Sequence, residues 1–75
     1  MENNPIAKAI GQKIRERRAA IRMPRTVLAK AIGTGNKSVW VWENGFGCPN
    51  VRYLRPLSIA LGITVDELLG GAYES

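Results

Sequence analysis

Apolar residues recur at three- and four-residue steps along most of the chain, the period of helices with one buried face. From Pro5 to about Arg22, Ile6, Ile10, Ile14 and Ile21 form one stripe with Ala9 and Ala20 beside it, while Lys8, Lys13, Arg15, Arg17 and Arg22 mostly fall away from it. Asn4 before Pro5 starts this helix, because an Asn side chain can cap open amides and proline has no N–H to lose in the first turn. Pro24 disfavours helix at Met23 and places a break between Arg22 and Arg25. A second helix is predicted over Arg25 to Ile32, where Val27, Leu28, Ala31 and Ile32 keep the helical spacing. Gly33 follows where a left-handed cap is wanted, and a tight turn through Thr34 and Gly35 comes next.

The third segment, Asn36 to Asn44, is ambiguous by propensity, since Val39, Trp40, Val41 and Trp42 would suit a strand. Spacing favours helix: Val39 and Trp42, three apart, share a helix face but would lie on opposite faces of a strand. Residues 46 to 52 read as an irregular connection. A proline late in a helix breaks it, so the fourth helix is expected to begin near Tyr53 or Leu54 with Pro56 in its first turn, and to end at Gly62. Thr64-Val65-Asp66-Glu67 has the form of a capping box and starts a short fifth helix that stops at Gly70 and Gly71. The expected fold is all-α, a compact bundle of five short helices over residues 1–75 as one domain, with no internal repeat or linker.

Composition narrows the chemistry. Cys48 stands alone and there is no histidine, so neither a disulfide framework nor a zinc site is available, and no metal, cofactor or small-molecule ligand is expected. The beginning of the sequence lacks a signal peptide's pattern and the apolar runs are short, which points to a cytoplasmic setting without membrane contact. Residues 1 to 37 hold nine Lys/Arg against two acids, and residues 38 to 75 hold two against four. A basic half of this kind fits a polyanion, with nucleic acid the commonest, although a solvated basic helix face would give the same count.

The stretch from Arg25 carries a more specific pattern. Counting Arg25 as first, Leu28 is fourth, Ala29 fifth, Ile32 eighth, Gly33 ninth, Val39 fifteenth and Trp42 eighteenth. Two steeply crossing helices need a small residue at the crossing, a residue tolerant of positive φ in the turn, and large apolar residues between them. With Ile-Arg-Glu-Arg-Arg (14 to 18), Leu-Ala-Lys-Ala-Ile-Gly (28 to 33), Trp-Glu-Asn-Gly (42 to 45) and Ala-Leu-Gly-Ile-Thr-Val-Asp-Glu-Leu-Leu (60 to 69), the chain resembles the phage repressor and Cro type of helix-turn-helix protein, the Xre family.

The resemblance implies a lambda-repressor-like domain whose helix from Asn36 lies in the major groove of duplex DNA. Asn36, Lys37 and Val41 would face base edges, with phosphate an equal alternative for Lys37; the amides near Gly35 and the Arg25 side chain would lie close to phosphate, and Arg52 would sit beside the backbone or minor groove. Ser38 and Trp40 complete the expected DNA-binding set. The residue types suit base reading, since Asn pairs with adenine, Lys donates to guanine, and Val packs on a thymine methyl. By the same resemblance, Glu43 pairs with Arg18. Two positions depart from the family pattern: Arg25 stands where Gln is usual, and Trp40 puts an indole on an outward-facing position. Gly33-Thr34-Gly35-Asn36-Lys37-Ser38 is not a P-loop, since Ala31 and Asn36 stand where that motif needs glycine. Glu43 has no nucleophile or histidine to work with, so no enzyme is expected. The expected function is a transcriptional regulator, a repressor acting as a homodimer on a palindromic operator. The alternative is a protein-interaction module on the same fold that binds its partner through the Trp40 surface.

Overall fold

Five α-helices make up the computed structural model, which describes residues 5–70: α1 (Pro5–Ala20), α2 (Arg25–Ile32), α3 (Asn36–Glu43), α4 (Val51–Leu61) and α5 (Val65–Leu69). The described residues contain no strand, and the ambiguous third segment is helical. Asn4 and Gly71, expected as cap and stop, lie outside the described residues.

Helix α1 ends two residues earlier than the apolar stripe suggests. Arg22 adopts a left-handed φ of 56°, and the Met23 and Arg22 amides donate to the carbonyls of Arg18 and Ala19 at 2.9 and 3.1 Å. This is a Schellman closure built on an arginine, with Pro24 next in line to keep the helix from continuing. Ile21 consequently leaves the stripe and is exposed, as are Ala9 and Ala20, while Ala7 and Gly11 join Ile10 and Ile14 on the inner face.

Helix α4 starts at Val51, earlier than expected, so Pro56 lies inside it and residues 51 and 52 are helical. Asn50 decides this start: its Oδ1 accepts from the Arg52 amide at 3.1 Å. Pro56 then forgoes only a bond to the carbonyl of Arg52, an exposed residue in the first turn. The capping box of α5 is present, with Thr64 Oγ1 accepting from the Glu67 amide and Glu67 Oε1 accepting from the Thr64 amide, each at 2.9 Å.

The core gathers Ile10 and Ile14 of α1, Leu28, Ala29 and Ile32 of α2, Val39 and Trp42 of α3, Leu57 and Leu61 of α4, and Leu68 of α5. Helix α3 packs on α1 and α2, and α4 and α5 close the bundle behind them. Gly11 sets the closeness of α1 to α3, for a Cβ there would stand 1.9 Å from the carbonyl oxygen of Trp42. Arg17 adds a tie to α4 by donating from Nε to the Leu61 carbonyl at 2.7 Å.

Candidate nucleic-acid interface

The pair α2 and α3 meets at Ala29, which is buried, and turns at Gly33, whose φ of 81° costs a side-chain-bearing residue more than glycine. The Thr34 amide closes the turn onto the Ala29 carbonyl at 2.9 Å. Helix α3 then divides by burial. Val39, Trp42 and Glu43 face inward, with the Trp42 ring 5.4 Å from that of Tyr53. At about 100° per residue, Asn36, Trp40, Asn44, Lys37 and Val41 follow one another around the opposite arc. Asn36, Lys37 and Trp40 are exposed, and Val41 and Asn44 are half-buried.

Of the expected site residues, the structure brings Asn36, Lys37, Trp40 and Val41 onto this one outward arc. Ser38 sits half-buried at its trailing edge. Gly35 is the exposed N-cap of α3 and has no side chain to cover the first amides; Pro24 at the head of α2 provides no cap either. Arg52 lies not in a connection but in the first turn of α4, exposed, with its guanidinium 5.9 Å from the centre of the Tyr53 ring. Tyr53 thereby links Arg52 to Trp42 behind the outward arc.

The end of α3 is held by charge. Glu43 is only 6% exposed. Its carboxylate accepts from Arg18 Nε at 2.6 Å and from Arg18 Nη2 at 3.0 Å, while Arg18 Nη1 donates to the Met23 carbonyl at 2.9 Å. Arg18 therefore fastens α1, the α1–α2 turn and α3 together, and the hydrogen bond from Glu43 raises its pKa further, with their Coulomb attraction aiding and burial opposing. The expected pairing of Arg18 and Glu43 is present.

The resemblance puts Arg25 at phosphate alone, yet its Nε lies 3.5 Å from Glu43 Oε1 and makes no hydrogen bond there. About a third of its side chain stays exposed (33%). It combines an inner edge beside Glu43 with an outer edge available to solvent. Neither this second cation nor Gly11 was evident in the sequence. An arginine where the family pattern has Gln was the one visible signal.

A Schellman motif closes α3. The Phe46 amide donates to Val41 and the Gly45 amide to Trp42, both at 3.1 Å, with Gly45 at φ 76°. Such motifs bring an apolar contact across the helix end, and here it joins Phe46 to Trp40, ring centroids 5.7 Å apart. Both rings remain well exposed, Trp40 at 42% and Phe46 at 63%. Cys48, two residues on, is exposed too. Among the described residues no group of three or more His, Cys, Asp or Glu is placed to hold a metal ion. No helix among them is long and apolar enough to cross a membrane.

Comparison with known proteins follows the same geometry. The helix-turn-helix family profile matches residues 14–68. The Repressor protein C2 of Salmonella phage P22 is 36% identical over 62 residues, covering 83% of this chain and 29% of the repressor. The HTH-type transcriptional activator BcrR of Enterococcus faecalis is 30% identical over 60 residues, covering 80% of this chain and 29% of the activator. The chain thus spans under a third of the length of either curated relative. The crystal structure of the P22 c2 repressor in complex with a synthetic operator superposes with a TM-score of 0.78 at 35% identity, over 83% of this chain and 94% of that one. The fold also matches part of an enzyme, the hydroxypropylphosphonic acid epoxidase of S. wedmorenis, with a TM-score of 0.75 at 25% identity over 84% of this chain and only 34% of the epoxidase. With its profile match spanning α1 to α5, this chain belongs to the Cro/C1-type (Xre) helix-turn-helix family of DNA-binding transcription regulators.

Proposed function

We propose that the chain reads double-stranded DNA in the major groove through α3 and represses transcription as a cytoplasmic homodimer on a palindromic operator. The observation that carries this reading is the division of α3: an outward arc of Asn36, Lys37, Trp40 and Val41 opposite an inward arc locked by Val39, Trp42 and Glu43. Asn36 and Lys37 supply donors and acceptors for base edges, and Val41 supplies an apolar surface for a thymine methyl. The uncovered amides at the starts of α2 and α3 suit phosphates, as does the outer edge of Arg25. Lys8 and Arg15 of α1 line an open groove with Gln12, Glu16, Glu43 and Asn44, so two cations of the basic half lie beside the end of the reading helix together with two carboxylates. Arg52 is the remaining candidate for a backbone contact, from α4.

Selection of bound duplexes from a random pool tests the proposal. A dimer reading two half-sites enriches a palindrome with centres about 34 Å apart along the duplex. Neutralising about five phosphates gives log K against log salt a slope near −4 to −5. Asn36→Ala should weaken the enriched duplex by about 1–3 kcal/mol and relax one base preference, whereas Arg25→Ala should weaken all sequences alike. A pool that yields no enriched sequence overturns the reading. A second reading, a protein partner docked on the Trp40 surface, is favoured by the exposure of the Trp40 and Phe46 rings; it requires DNA binding to be indifferent to Trp40→Ala.

A further inference from the structure

Trp40 lies on the outward arc of α3 between Asn36 on one side and Asn44 and Lys37 on the other, with Val41 beyond them. Any duplex that brings Asn36 and Lys37 to its base edges therefore meets the indole. Phe46 extends that apolar surface, with its ring plane tilted 30° from the indole plane. The Schellman bond from its amide fixes its place. The result is an apolar ridge held by backbone geometry, projecting from the face that also carries the polar readers.

We propose that the Trp40–Phe46 ridge selects pyrimidine C5-methyl groups on the major-groove edge, those of thymine and, where it occurs, of 5-methylcytosine. The inference rests on the DNA reading by α3 proposed above. In the major groove the base-edge groups are hydrogen-bond donors or acceptors apart from small C–H edges, such as the C5–H of cytosine, and the C5-methyl, the one bulky apolar group. A purine N7, a guanine O6 or an exocyclic amine pressed against phenyl and indole faces loses its water without gaining a partner. A methyl loses nothing and gains an apolar neighbour. Charge identifies the occupant as duplex DNA rather than another protein. Lys37 shares the arc, and the first amides of α3 have no side-chain cap. A dry protein interface over this ridge would strand both, while phosphates flanking a groove satisfy both.

The test uses the full 75-residue chain and the most enriched duplex from the random pool. Each thymine is replaced in turn by deoxyuridine, which removes only the methyl. Each sensitive T–A pair is then exchanged for a C–G pair with and without a C5-methyl. Wild-type affinity should fall about fourfold per critical methyl removed, the worth of one buried methyl-sized group. The methylated C–G pair should bind more tightly than the unmethylated one by a similar factor. Trp40→Ala should bring the thymine-to-uracil ratio close to one, and Phe46→Ala should reduce it. Should Trp40→Ala melt too early to assay, Trp40→Leu and Phe46→Ala decide, and full thymine preference in both overturns the proposal. So does wild-type indifference to uracil at every position of a duplex that still binds specifically, which leaves the DNA reading standing. A thymine preference untouched by Trp40→Ala assigns the methyl to Val41 instead. Failure to enrich any duplex removes the DNA reading itself and leaves the ridge to a protein partner.

Discussion

Helices α2 and α3 begin on Pro24 and Gly35, neither of which offers a side chain to the free amides, whereas α4 and α5 begin on Asn50 and Thr64, both of which do. The uncapped pair forms the helix-turn-helix; the capped pair packs behind it. A capping side chain contributes about 1 kcal/mol over alanine and only a few tenths over glycine, so the two starts without one forgo a modest local stability. They keep instead two sets of donors that an anion can use. The front of the molecule leaves its amides open for a ligand, and the back satisfies its own.

This contrast presupposes that α3 is held by packing rather than by its ends, which gives the largest expected effect. Trp42→Ala should cost about 3–5 kcal/mol in chemical denaturation, most of what a chain of this size possesses. A melting temperature unchanged by that substitution would break the comparison at its root. Next comes the clamp: Arg18→Met or Glu43→Gln alone should each cost about 3 kcal/mol, because the first leaves the buried Glu43 carboxylate with only the longer Arg25 contact and the second leaves the Arg18 and Arg25 cations beside an uncharged amide. The double variant should lose less than the sum of the two, and strict additivity in the cycle would mean the pair is not coupled.

The comparison sharpens when a cap is moved to the front. Gly35→Asp supplies α3 with a side-chain acceptor, so stability should hold or rise by a few tenths of a kcal/mol. Affinity for any duplex should drop by about tenfold, since a carboxylate then occupies the amides meant for phosphate. Asn50→Ala and Thr64→Ala should do the reverse, each losing about 1 kcal/mol of stability with duplex affinity unchanged. Equal effects of front and back caps on DNA binding would dissolve the distinction.

The smallest effect is one of pH at the back. Hydrogen bonds from the Thr64 backbone and side chain hold the Glu67 carboxyl below its ordinary value of 4.5. A depressed folded pKa means that its contribution is complete above the unfolded value and fades as pH falls through the folded one. Urea midpoints taken from about pH 6 to about pH 2 should therefore decline less steeply in Glu67→Gln than in wild type. Identical acid slopes would show that the capping box contributes no pH dependence.

What the sequence made legible was mostly periodic or capped. Val39 and Trp42 at a three-residue step settled α3 as a helix, Gly33 marked the end of α2, and Thr64 with Glu67 marked the start of α5. The misses share a cause: they depend on which of several local signals wins in three dimensions. At the end of α1 a left-handed arginine did what glycine usually does, so the stripe ran on to Ile21 in the sequence but not in space. At α4 the cap on Asn50 outweighed the proline at 56. Asn36, Lys37, Trp40 and Val41 were expected on the outer side of α3 and lie there, yet Asn44 beside them, the second cation near Glu43 and the packing of Phe46 on Trp40 were not foreseen. The last two join residues whose contact depends on how a turn closes, and no periodicity reports that.

The contact at Gly11 decides which partner adapts on binding. Backbone lies against backbone where α1 crosses the end of α3, with no side chain between them to rearrange. Helix α3 rolls or slides only with α1, so on the proposed DNA reading its backbone is ordered at folding and only exposed side chains such as Lys37 lose freedom on association. A duplex that receives this helix meets a rigid template. Any mismatch in curvature or groove width must be taken up by the DNA, whose stiffness varies with its sequence. Base pairs that no side chain touches would then influence affinity through the ease with which they bend.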